Sequence, residues 1–150
     1  MAGKNGPVPV AGTNTVGGTL VPGIVFPTAA LDKDTNTYGL GAGVYVSAEL
    51  ENPNCRGVRL FTVVANGSGT VTVKIQIRTP YTNTWIDLAG AATAALNNNT
   101  GAILTVYPGL TGIADSTGVT INQHLGSAWR LVATVATATE TFSVAADYLA

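Results

Sequence analysis

At 150 residues the chain is long enough for one ordinary domain around a single core, and its one cysteine, Cys55, excludes an internal disulfide framework and a cysteine-built zinc site. Charged residues make up only 10% of the chain, against about 25% in typical soluble domains, and the net charge is -1. With no cluster of Lys and Arg there is no electrostatic footprint for nucleic acid, and the uncharged run 88–114 is interrupted by Asn97, Asn98, Asn99, Gly101, Pro108 and Gly109 too often for a membrane span.

In chain order, the first segment is rich in Pro and Gly. Pro7, Pro9, Pro22 and Pro27 fall among many glycines, and no charge occurs between Lys4 and Asp32. Such a stretch cannot form a helix and has little regular strand pattern. It is nevertheless more apolar than a disordered tail. It reads as an extended N-terminal arm over 1–40, ordered by lying on its own domain or on a neighbouring subunit. Val8, Val10, Leu20, Val21, Ile24 and Phe26 are its candidate partner contacts. Removal of residues 2–30 is then expected to leave a folded domain. The segment also lacks the continuous apolar run of a secretory signal.

Beyond residue 40 the period is two, which argues for half-buried strands. Residues 43–51 alternate Val44, Val46, Ala48 and Leu50 against Tyr45, Ser47, Glu49 and Glu51. Residues 56–65 are apolar on both faces and suit a central strand. The turn Asn66-Gly67-Ser68-Gly69 predicts a hairpin to the strand 70–79, because Asn-Gly accepts the positive φ angles of such connections. That strand places Val71, Val73, Ile75 and Ile77 in the core. Pro80 ends it. A strand at 84–88 follows, then an Ala/Asn loop over 89–100 with room for one helical turn. Strands are predicted at 102–107, stopped by the Pro108-Gly109 type II turn signal, and at 118–121. The last two are 128–137, with Trp129, Leu131, Ala133 and Val135 inward, and 140–148, with Phe142, Val144, Ala146 and Tyr148 on one face. The expected fold is all-β: a single antiparallel β-sandwich of jelly-roll-like kind, with about eight strands over 41–150.

Residues that carry chemistry are sparse. The lone histidine, His124, lies in a loop with no flanking pattern that joins it to Cys55, which reads as a small apolar filler. Asp32-x-Asp34-x-Asn36 begins like a calcium loop, yet Thr37 stands where the sharp turn needs Gly, and Gly43 where an acid must bind. Glu49 and Glu51 share a strand face but come from one element, unlike the carboxylates that flank a glycosidic bond. Asp87 and Asp115 are lone acids in or beside loops. Two glycosylation-type triplets begin at Asn66 and Asn98 and read as turn chemistry. Lys74 and Arg78 share a face, near Arg56 and Arg59, and their simplest use is cross-strand pairing with Glu49 and Glu51. No catalytic set, metal site or cofactor motif emerges, so the chain is not expected to be an enzyme. Tyr81 and Trp85 remain, with alternation putting Trp85 on the polar side beside Asp87. They are candidate partner contacts at a subunit interface, where Trp and Tyr are enriched, or a platform for a sugar ring.

The series RGVRLF, SGTVTVKIQIRTPYTNTWIDL, TGAILTVYPGL, AWRLVATV and TFSVAADYL, spanning 56–149, resembles small virion structural proteins of tailed bacteriophages. The likeness is clearest in TVYPGL and AWRLVATV and does not cover the arm. It implies a head decoration, or cement, protein: a homotrimeric β-domain on the capsid surface that bridges subunits of the major capsid protein. Such a protein is made in the host cytoplasm and ends in the virion. A tail, neck or fibre component, or a carbohydrate-binding β-sandwich module, is the alternative.

Overall fold

The period-two pattern becomes two β-sheets whose apolar faces share one core. The computed structural model describes residues 13–14, 18–20, 24, 26, 30–32, 37–52, 56–109 and 118–149, with backbone alone at 13–14, 18–20, 30–32 and 37. Among them are β1 (Thr13–Asn14), β2 (Gly18–Leu20), β3 (Ala30–Asp32), β4 (Thr37–Leu40), β5 (Gly43–Val46), β6 (Leu50–Glu51) and β7 (Gly57–Gly67). There follow β8 (Thr70–Arg78), β9 (Trp85–Ala92), β10 (Thr100–Val106), β11 (Gly118–Ile121), β12 (Ala128–Ala136) and β13 (Glu140–Leu149). No helix occurs among the described residues.

The larger, eight-stranded sheet runs β1-β2-β13-β7-β10-β11, with β4 also on β13 and β3 on β4. The five-stranded sheet runs β5-β12-β8-β9, with β6 also on β12. All pairs are antiparallel except β10–β11, which is parallel and departs from the antiparallel expectation. β7 is central, as its two apolar faces predict, between β10 and β13.

Alternation sets the core. Val71, Val73 and Ile75 of β8 face Leu131, Ala133 and Val135 of β12 on the inner side of the smaller sheet, all buried. Across from them lie Leu60 and Val64 of β7, Leu104 of β10, and Phe142, Val144 and Ala146 of β13. Trp129 binds the layers together. Its ring packs edge-on against Tyr148 at 6.1 Å, its Nε1–H donates to the Tyr148 hydroxyl at 3.1 Å, and that hydroxyl donates to the carbonyl of Glu51. A buried indole N–H left without an acceptor costs about 1–3 kcal/mol, so this relay keeps Trp129 compatible with full burial.

Several expectations change. Ile24 and Phe26 are not partner contacts: they are 4% and 1% exposed in the chain's own core. Phe26 meets the Tyr38 ring at 5.1 Å and the Phe142 ring at 6.4 Å, and the Tyr38 hydroxyl donates to the carbonyl of Ile24. Strands β3 and β4 likewise join the larger sheet through β13, so the residues just before 40 belong to the domain. Val8, Val10 and Val21 lie outside the described residues, and Leu20 is described only as backbone in β2.

The turn 66–69 does not close a hairpin. β7 belongs to the larger sheet and β8 to the smaller, so Asn66–Gly69 turns the chain from one layer to the other. The side chain of Glu140, fully buried at the start of β13, fills this corner and accepts the N–H of Gly69. A Cβ on Gly67, whose φ is +147°, would lie 1.9 Å from Glu140 Oε2, and one on Gly69 would lie 2.0 Å from the carbonyl oxygen of Ala136. Both positions therefore exclude side chains for steric reasons, and at Gly67 the positive φ adds a conformational one.

The stretch 43–51 divides into β5 and β6. Ser47 causes the break: its backbone N–H donates to the carbonyl of Leu131, and its hydroxyl accepts the Leu131 N–H at 2.9 Å. In β5 the face is the reverse of the apolar one, with Tyr45 packed on the core and Val44 turned out, 66% exposed. The expected loop at 89–100 begins as strand, since β9 continues to Ala92 and buries Leu88 and Ala91. Leu96 then bridges to Val71.

Candidate partner-binding face

The outer side of the smaller sheet gathers most of the described charged side chains. Alternation that sends Val73, Ile75 and Leu131 inward sends Lys74, Gln76, Arg78 and Arg130 outward. Register then aligns them, because Arg130 of β12 stands opposite Gln76 of β8, and Gln76 opposite Asp87 of β9. Trp85 stands opposite Arg78 one row away.

This row is hydrogen-bonded end to end. Arg130 Nε donates to Gln76 Oε1 at 2.8 Å, Gln76 Nε2 donates to Asp87 Oδ1 at 2.8 Å, and Lys74 Nζ donates to Asp87 Oδ2 at 2.8 Å. Arg78 Nη1 pairs with Glu49 Oε2 at 2.7 Å, the cross-strand use expected for it. Lys74 chooses Asp87 instead of a glutamate, so Asp87 is a strand residue with two partners and not a lone loop acid. The Arg130 guanidinium lies 4.3 Å from the centre of the Trp85 ring, and that of Arg78 lies 6.0 Å from it.

Two groups titrate away from their ordinary values here. Hydrogen bonds from Lys74 and then Gln76 hold the Asp87 carboxyl below its usual range. The stabilisation this brings is present above the ordinary aspartate pKa and fades as pH falls through the lowered one. Desolvation lowers the Arg130 guanidinium, which arginine's high intrinsic pKa keeps charged.

The larger sheet has a different outer face. Ile103 of β10, Phe61 of β7 and Ala145 of β13 stand side by side in register, with Val63, 50% exposed, next along β7. The outward positions of these three strands carry two charges, Arg59 and Asp147, which stand opposite each other.

Of the sequence candidates, Tyr81 is 97% exposed in the turn between β8 and β9, where the Thr79 N–H donates to the Thr84 carbonyl. Trp85 begins β9 a few residues on, half-buried beneath Arg130. His124 is exposed, and Cys55, Asp34 and Asn36 lie outside the described residues. Among the described residues no three His, Cys, Asp or Glu side chains come together as a metal site, and no helix is long and apolar enough to cross a membrane. Sequence reasoning overlooked Arg130 and Gln76. Their signal was the alternation itself, which fixes Arg130 on the outer face once Trp129 and Leu131 are inside. No family model, curated protein or solved structure matches the chain.

Proposed function

We propose that the protein is a structural component of a phage virion, a head decoration protein that binds the assembled capsid as a homotrimer and bridges subunits of the major capsid protein. On this reading the two layers form a β-sandwich of jelly-roll-like kind. The observation that carries the proposal is the outer face of the larger sheet, where a row of Ile103, Phe61 and Ala145 is bordered by Val63 and only two opposed charges. Apolar area of this kind on a long, regular sheet suits burial against a neighbouring protein surface. The resemblance of 56–149 to phage structural proteins supplies the identity of that neighbour.

Binding only to the assembled shell lowers the free energy of that state and so opposes its disassembly. Three copies placed over one lattice point gain further, because the second and third contacts form at high effective concentration. The carbohydrate-binding alternative is less favoured, since a guanidinium already covers a face of Trp85, which a sugar ring would need for stacking.

The test is cosedimentation with capsid shells of the phage that encodes the chain. Phe61→Lys and Val63→Lys should each leave the unfolding transition in place and weaken shell binding by about tenfold or more, because a lysine ammonium would be desolvated in the contact. Binding that persists undiminished in both variants would remove the larger sheet from the interface.

A further inference from the structure

Six of the described charged side chains lie on the outer face of the smaller sheet, Glu51 among them, since it stands opposite Ala128, two residues before Arg130. Lys74 engages Asp87 and Arg78 engages Glu49, so of the three cations Arg130 alone makes no ion pair among the described residues. Arg130 spends only its Nε–H within the row, on Gln76. Its two terminal nitrogens have no hydrogen-bond partner among the described residues.

This arginine is also held in place. Its Cζ lies over the Trp85 ring, 4.3 Å from the centroid, and Gln76, itself anchored on Asp87, fixes the Nε edge. A guanidinium fixed at one edge presents the opposite edge, with its parallel N–H groups, in the geometry that receives a carboxylate through two bonds. Having little rotamer freedom left to lose, it binds at lower entropic cost than a free surface arginine. Its surroundings select the ligand further. Lys74 and Arg78 are each taken up by a carboxylate, so Arg130 offers a single open cation and not the cluster a polyanion needs. The exposed Val46 and Val44 of β5, opposite Val132 and Thr134 on the same face, make this side of the rim apolar.

The geometry points to Arg130, seated over Trp85 and held by Gln76, as a preorganised receptor for a single carboxylate presented among neutral side chains on a partner protein. This contact lies on the sheet opposite the Phe61 face and does not depend on the identity of the shell.

The test uses the intact protein and two probes: a short capped peptide with one glutamate between leucines, and its glutamine twin. Side-chain NMR should show saturable shifts of the Arg130 Nε–H and Trp85 indole signals with the glutamate peptide at millimolar concentration, and about tenfold weaker response to the twin. Arg130→Gln should abolish the response. Arg130→Lys, which keeps the charge but loses the fork, should weaken it by about fivefold or more. Shifts centred on Lys74 or Arg78, equal response to both peptides, or no saturable shift would overturn the proposal. So would tighter binding of a short single-stranded oligodeoxynucleotide, which would make the site a phosphate reader. Should Arg130→Gln fail to fold, the location of the shifts in the unaltered protein decides the question. Loss of shell binding with an intact peptide response would sink the capsid reading alone.

Discussion

A chain lacking residues 2–30 should be largely unfolded at room temperature, in contrast to the folded remnant that an extended arm would leave behind. The deletion removes Phe26 and Ile24, both buried, along with β1 and β2. Truncation of one buried phenylalanine costs about 3–5 kcal/mol and of one buried isoleucine about 2–5 kcal/mol. Together these approach the whole stability of an ordinary domain, about 5–15 kcal/mol. The exposed flanks of Tyr38 and Phe142 add to the loss, since Phe26 lies against both rings. Circular dichroism and urea unfolding of the shortened chain, beside Phe26→Ala in the full chain, measure this directly. Phe26→Ala should lower the urea midpoint strongly while keeping a single transition. A shortened chain with an unchanged midpoint would place Ile24 and Phe26 outside the core.

The corner at 66–69 gives the second large effect. Gly69→Ala drives a methyl toward the carbonyl oxygen of Ala136, a backbone atom with little freedom to move, and should cost about 1–3 kcal/mol or more. Gly67→Ala meets the carboxylate end of Glu140 instead. Glu140→Ala removes the acceptor of the Gly69 N–H and should itself cost about 1–3 kcal/mol. In the double variant of Gly67 and Glu140 the collision is gone, so the two costs should fall short of their sum by about 1 kcal/mol. Gly69→Ala should gain less relief from Glu140→Ala, because its nearest obstacle is the Ala136 carbonyl oxygen at 2.0 Å, with Glu140 Oε1 farther off at 2.9 Å. Strict additivity for the first pair, measured by denaturant unfolding, would show that Glu140 does not fill the corner.

Where strands lie was largely legible in the sequence, because a face that buries Val71, Val73 and Ile75, or Trp129, Leu131 and Ala133, writes its period into the chain. Which strands pair was less legible. Asn66-Gly67 signals a tight reversal, but whether the chain returns along its own strand or crosses to the other layer depends on distant partners, β10 and β13 for β7 and β12 and β9 for β8. The same holds for Ile24 and Phe26: their segment is broken by prolines and has no period, and they become core only because Tyr38 and Phe142 stand opposite. Val44 and Val46 mislead in the other direction, since in the edge strand β5 it is Tyr45 that reaches the core, closing on the Gly41 carbonyl at 2.9 Å.

The candidate face was half legible. Trp85 on the polar side with Asp87, and Arg78 paired to Glu49, follow from alternation and charge alone. The row from Arg130 through Gln76 to Asp87 required the register of β12, β8 and β9, which no single strand encodes. That register turns an aromatic residue flagged as an interface candidate into the support of an arginine.

The proposed capsid role is tested most directly by searching phage genomes for this sequence and locating the chain on the virions of a carrier by electron microscopy after specific labelling. Label distributed over the whole head surface is the predicted result. Label confined to one vertex or to the tail, or absent from the particle, would contradict it.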